Sequence, residues 1–276
     1  MSRMLSGSPD PSAVELSAQT PWICKLPSRL EPLPGRIDGL LFDACNVLYD
    51  DTAWRRWLLR RLRQLGLETS YRCFFRLWER DFLTEVYCGR RSYREALAAL
   101  LRSAGLSHGQ IEEAQAACEA RSHVEGEMRP LTGLRRTMEQ LHAAGLILGV
   151  ICNSEHLGIV LRERFDRFGF GQILSAVVSS RELGRAMPDP ACYLAALAGM
   201  RLPPERVVFI GHDAAQLAGA TALGMATVAF NSDPDARAQR HLDCLDDLLP
   251  LTGRPQPSAD SAGSSGVLSR PEKAAA

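Results

Sequence analysis

Lysine is almost missing from this chain: it occurs only at Lys25 and Lys273. No lysine is therefore available for chemistry anywhere in the central region. An excess of charge of either sign is missing too. The 32 basic and 32 acidic residues cancel to a formal net charge of +0, which removes any global pull toward nucleic acid or an anionic membrane. No apolar run approaches the roughly 20 residues that a membrane-spanning helix needs. Met1 to Ala18 holds no apolar core of the kind a secretion signal carries, so a cytoplasmic location is expected. Cys-x-x-Cys pairs are absent as well. The 8 cysteines, at positions 24, 45, 73, 88, 118, 152, 192 and 244, fall singly, several of them in apolar stretches. They read as reduced, buried small hydrophobes.

What is present is ordinary for a globular protein: 276 residues, 46% of them apolar and 23% charged. That is enough for one large domain, or a domain with an insert. Residues 1–35, rich in Ser and Pro, read as a disordered leader, and residues 252–276 as a disordered tail. Between them strands and helices alternate. Strands are expected over 37–42, 146–151, 173–178, 206–210 and 226–230. Helices are expected over 132–144, 156–168, 189–198, 213–223 and 242–249, with Asp189 as an N-cap and Gly145, Gly169 and Gly224 as stops. Such alternation predicts an α/β fold, a doubly wound parallel sheet with right-handed crossovers.

Residues 51–128 break the pattern. Trp54, Trp57, Leu58, Leu62 and Leu65 share one helical face, and Tyr71, Phe74, Phe75, Trp78, Phe82 and Val86 another. Tyr93, Leu97, Leu100 and Leu101 give a third stripe, and Ile111, Ala114 and Cys118 a weaker fourth. The spacing predicts four amphipathic helices inserted after the first strand, with the aromatic stripe as their core. Arginines at 55, 56, 60, 61 and 63 give the first of them either a solvated basic face or a positive lid over a small anionic ligand.

Three apolar runs stop abruptly at polar residues: Leu40-Leu41-Phe42-Asp43-Ala44-Cys45, Val150-Ile151-Cys152-Asn153-Ser154 and Phe209-Ile210-Gly211-His212-Asp213. Open parallel sheets place their sites at such C-terminal strand ends. The order of these segments, the helical insert and the stretch from Arg129-Pro130-Leu131-Thr132-Gly133 to Asn153 resemble the haloacid dehalogenase-like (HAD) superfamily. The resemblance implies a Rossmannoid core over residues 36–50 and 129–251, with a helical cap over 51–128.

It also implies roles. Asp43 stands at the nucleophile position, which takes the phosphoryl group. Cys45 stands where the family has the acid–base aspartate, and a thiol has the wrong pKa and reach for that proton transfer. Cys152 and Asn153 stand at the ligand-binding Ser/Thr-Asn motif, with the strong hydroxyl donor lost. Met187 replaces the motif lysine, and Arg185 is the only nearby cation. His212 and Gln216 replace the two carboxylates that hold Mg²⁺ in the family, a hard ion that prefers charged oxygen ligands. Asp213, one residue out of register, is either an auxiliary carboxylate or a helix N-cap.

The resemblance with these substitutions implies a HAD fold lacking Mg²⁺-dependent phosphatase activity and serving in binding or regulation. Three alternatives stay open. One is a metal-independent hydrolase of the 2-haloacid dehalogenase type with Asp43 as nucleophile. The second is a small-molecule phosphatase with an atypical site. The third is a rebuilt Zn²⁺ or thiol site from Asp43, Cys45, Cys152 and His212. No nucleic-acid or membrane partner is expected.

Overall fold

The computed structural model describes residues 31–122 and 128–255. Most of the expected leader (1–30) and tail (256–276) lies outside the described residues. The chain runs β1 (Gly39–Asp43), β2 (Tyr49–Asp50), α1 (Thr52–Gln64), α2 (Tyr71–Trp78), α3 (Thr84–Tyr87), α4 (Tyr93–Ser103), α5 (His108–Ser122) and β3 (Arg129–Pro130). It continues α6 (Leu134–Ala143), β4 (Ile147–Cys152), α7 (Gly158–Arg167), β5 (Leu174–Ser179), α8 (Ser180–Leu183) and α9 (Pro190–Met200). The last elements are β6 (Val207–Gly211), α10 (Ala214–Ala222), β7 (Ala226–Phe230), β8 (Arg240–Leu242) and α11 (Leu248–Leu251).

Six strands form one sheet in the order β5-β4-β1-β6-β7-β8, with every neighbouring pair parallel. Its central strands are apolar on both faces because both faces are covered. Leu40 and Phe42 of β1, Val150 of β4 and Ile210 of β6 join one core cluster with Met138 of α6 and Phe165 of α7. Leu41, Ile151 and Phe209 point the other way, against Tyr193 and Leu197 of α9 and Leu217 of α10. The period-2 alternation of each strand thus feeds two layers, a three-layer α/β/α arrangement. α9 lies so close that a Cβ on Gly149 would stand 2.6 Å from Met200 Sδ, so a larger residue there would displace the Met200 side chain.

The insert has its own apolar cluster, including Leu58, Leu62, Phe74, Trp78, Leu97, Leu101 and Ile111. Trp78 meets the Tyr93 ring edge-on at 5.3 Å, so the aromatic stripe is core. The second expected helix is not continuous. A π-helical turn at Glu79–Leu83 separates α2 from α3. Of the basic residues on α1, Arg55 is paired with Asp51 and Glu79 and Arg61 with Glu113, while Arg63 donates to the Thr69 carbonyl. Two of the five arginines, Arg55 and Arg61, are therefore neutralised by carboxylates. Among the described residues no helix is long and apolar enough to cross a membrane.

Other boundaries shift. The two-residue pair β2–β3 joins the entry and exit of the insert, Tyr49 opposite Pro130. The expected helix over 242–249 begins only at Leu248, because Arg240–Leu242 adds a parallel edge strand to β7 instead. Packing also passes the expected limits of the core. Leu33 is buried and its N–H donates to the Leu251 carbonyl at 2.8 Å. Arg254 donates to Asp38 Oδ1 at 3.1 Å.

Candidate active site

β1, β4 and β6 are adjacent and parallel, so their C-terminal ends share one rim of the sheet. Asp43 closes β1 opposite Ile151 and is 2% exposed. The chain then turns through Asn46, whose φ is 59°. The N–H groups of Ala44, Asn46 and Leu48 bond to the carbonyls of Ile151, Tyr49 and Ala44. Backbone therefore satisfies this turn, and the Asp43 carboxylate is not spent on it.

The carboxylate meets His212 instead. His212 Nδ1 lies 2.8 Å from Asp43 Oδ2. Neither atom has another hydrogen-bond partner among the described residues, and with the imidazole protonated the contact is an ion pair. Burial works against a charge on His212, but the Asp43 carboxylate, followed by Asp213 and Asp233, outweighs it and holds the imidazole pKa above its ordinary value.

The other rim residues are engaged elsewhere. The Cys45 thiol donates to Asp51 Oδ2 at 3.8 Å. Burial, and then Asp51, push that thiol well above its ordinary pKa. Asp51 in turn pairs with Arg55 at 2.8 Å, and the Arg55 guanidinium sits 5.1 Å over the Phe75 ring. Sequence reasoning missed Asp51; the Asp51/Arg55 spacing of four residues on one helical face was its only signal. Cys152 is buried beside the Tyr49 hydroxyl at 3.8 Å, and burial together with Asp43 pushes its thiol up to about 12.

Asn153 bonds to the loop at Met187. Its Nδ2 donates to the Met187 carbonyl at 3.1 Å, and its Oδ1 accepts from the Met187 N–H at 2.8 Å. Both ends of the amide are used to clasp a loop. Met187 itself is 5% exposed, in the apolar cluster with Leu41 and Tyr193. Arg185 is exposed and pairs with Asp189 at 2.9 Å, so it does not supply the missing cation. Asp213 is the N-cap of α10, its Oδ1 accepting from the Gln216 N–H at 2.8 Å. Gln216 is buried, and its Oε1 has no hydrogen-bond partner among the described residues. A cavity of about 370 Å³ opens at the seam between the insert and the α/β core. Arg90, Arg91, Tyr93, Glu155 and Arg181 are among its lining residues, and Asp43 is not.

These donors do not fit magnesium. Asp43 faces an imidazole rather than a second carboxylate, and Asp213 is turned into a helix cap. They do not fit zinc either. Both thiols are held protonated, and each has a different oxygen partner. Among the described residues no three His, Cys, Asp or Glu side chains are grouped to hold a metal ion.

Comparison with known proteins places the fold. The model of the haloacid dehalogenase-like hydrolase family matches residues 37–224, more than half of the chain. A glyceraldehyde 3-phosphate phosphatase of Methanothermobacter thermautotrophicus is 31% identical over 119 residues, 42% of this chain and 51% of that protein. The chain thus spans about half the length of that relative. A ribulose-1,5-bisphosphate 5-phosphatase of Halopiger xanaduensis is 23% identical over 215 residues, 74% of this chain and 89% of that protein. A solved dehalogenase superposes with a TM-score of 0.59 at 23% identity, over 79% of this chain and 98% of that one. The fold is therefore the Rossmannoid one of that superfamily, and the chain belongs to the haloacid dehalogenase-like hydrolases.

Proposed function

We propose that this chain is a pseudoenzyme of its family, one that performs no Mg²⁺-dependent phosphoryl transfer and serves as a binding or regulatory module. One observation carries the reading: two residues past the nucleophile position stands a thiol, Cys45, held protonated by burial. Phosphoryl transfer through Asp43 needs a group there that gives a proton to the leaving oxygen and then takes one from water. A thiol with a raised pKa does neither near neutral pH. The loss of lysine at Met187 and the self-engaged Asn153 amide point the same way. Losing a single general acid–base commonly costs about 10² to 10⁴ in rate. The ligand class proposed is a small anion, supported by Arg91 and Arg181 in the cavity at the seam, which Glu95 and Glu155 also line.

The test is a panel of phosphate monoesters offered to the full chain with and without Mg²⁺, beside Asp43→Asn. No magnesium-dependent phosphate release above that variant is expected. Release that needs magnesium and disappears in Asp43→Asn would overturn the proposal.

A second reading draws on the Phe42-Asp43-Ala44 strand end and the likeness to a dehalogenase fold. Displacement of halide by Asp43 needs neither the acid–base nor a metal. Met187 counts against it, because that branch of the family keeps the lysine. Chelator-insensitive halide release from a small 2-haloacid would favour this reading.

A further inference from the structure

A carboxylate as deeply buried as Asp43 is stabilised by a counter-charge. Among the described residues one is in contact with it. The thiols of Cys45 and Cys152 are neutral, the Asn153 amide is bonded to the Met187 backbone, and Met187 is apolar. Arg55, which acts on Cys45, is taken by Asp51 and Glu79, and Arg164 acts on Cys152 and Tyr49. Among the described residues, His212 makes the one ion pair to the carboxylate.

We propose that the His212 imidazolium is a built-in cation that takes the place of a divalent metal ion beside Asp43, so that this site excludes Mg²⁺ and Mn²⁺. Three features hold it there. His212 follows directly on Gly211, the end of β6, beside β1, which fixes the bearing of its ring toward the rim. Its carbonyl accepts from the Asp233 N–H at 3.0 Å, which ties the β6 end to the loop after β7. The charged groups acting on it from its own turn, from β1 and from that loop are Asp213, Asp43 and Asp233, all anionic. Each favours the imidazolium. A metal entering this spot would have to displace a positive charge that three carboxylates stabilise. Its first-sphere gain would be a single carboxylate, because Gln216 offers only an uncharged oxygen.

The inference starts from the same substitutions as the proposed function but fails separately from it. Mn²⁺ binding is measured by water-proton relaxation on the full chain, on Asp43→Asn and on His212→Asp. The native chain should bind no more Mn²⁺ than Asp43→Asn. His212→Asp replaces the cation with a second carboxylate, and Mn²⁺ binding should tighten by at least about tenfold. Because that variant places two carboxylates together and could fail to fold, the His212 ring is also titrated by NMR. Its midpoint should lie above the ordinary value of about 6.5 in the native chain and fall in Asp43→Asn. Native Mn²⁺ binding that Asp43→Asn abolishes would overturn the proposal, as would a native midpoint at or below 6.5. Mn²⁺ binding without phosphatase activity would sink this inference alone. Phosphatase activity without Mn²⁺ binding would sink only the proposed function.

Discussion

Removing the imidazole should be expensive, and the expense should depend on pH. In His212→Ala the Asp43 carboxylate stays buried with no counter-charge. Breaking a buried pair from one side costs about 3–5 kcal/mol. Asp43 has 3% of its side chain exposed and His212 19%, so water reaches one end and the lower part of that range applies. The expected loss is therefore about 3 kcal/mol at pH 6, where the imidazole is charged, and less at pH 8. The native chain has its own pH dependence. His212 has a raised folded pKa, so the pair's stabilisation is fully present below about 6.5 and is lost as pH rises through the folded value. Urea unfolding followed by circular dichroism, at pH 5, 6, 7 and 8, measures both trends. A variant within about 0.5 kcal/mol of native at pH 6, or equally destabilised at pH 6 and 8, would refute a charged pair.

Other outcomes follow from the same geometry. Asn153→Ala deletes both clasps on the Met187 backbone and should lower stability by about 1–3 kcal/mol in urea unfolding; an unchanged midpoint would show that the clasp contributes nothing. In native protein at pH 8 a thiol reagent should modify exposed Cys73 first, and buried Cys152 only in denaturant. Rapid native labelling of Cys152, read by peptide mass, would contradict the protonated, buried thiol. Asp213→Ala should cost about 1 kcal/mol as a lost N-cap and lower the His212 titration midpoint; loss of the cap without any movement of that midpoint would remove Asp213 from the set acting on the imidazole.

The sheet was legible because apolar runs buried on both faces leave little choice. Leu40-Leu41-Phe42 and Val207 through Ile210 could only be central parallel strands. The caps at Asp189 and Asp213 were legible for a local reason, since a short carboxylate before a helix bonds the N–H two or three residues on. β8 was not, because Arg240 and His241 carry no apolar pattern and the strand exists only by pairing with β7. The π turn at Glu79–Leu83 also left no mark, since Phe82, Leu83 and Val86 keep a helical spacing through it. At the site, sequence named the substituted positions but not their contacts. His212 read as a lost metal ligand, and in the structure its Nδ1 touches Asp43 Oδ2. Asn153 read as a surviving phosphoryl ligand, but its amide turns to Met187. Both outcomes depend on contacts between distant segments, which composition and spacing do not carry.

The most direct measurement is a crystal structure of the full chain grown in millimolar magnesium near pH 6.5. The Asp43 carboxylate should remain in contact with His212 Nδ1 at about 2.8 Å, with no ion between them. Octahedral density on Asp43, with the imidazole swung away, would contradict the claim that the protein supplies its own cation there.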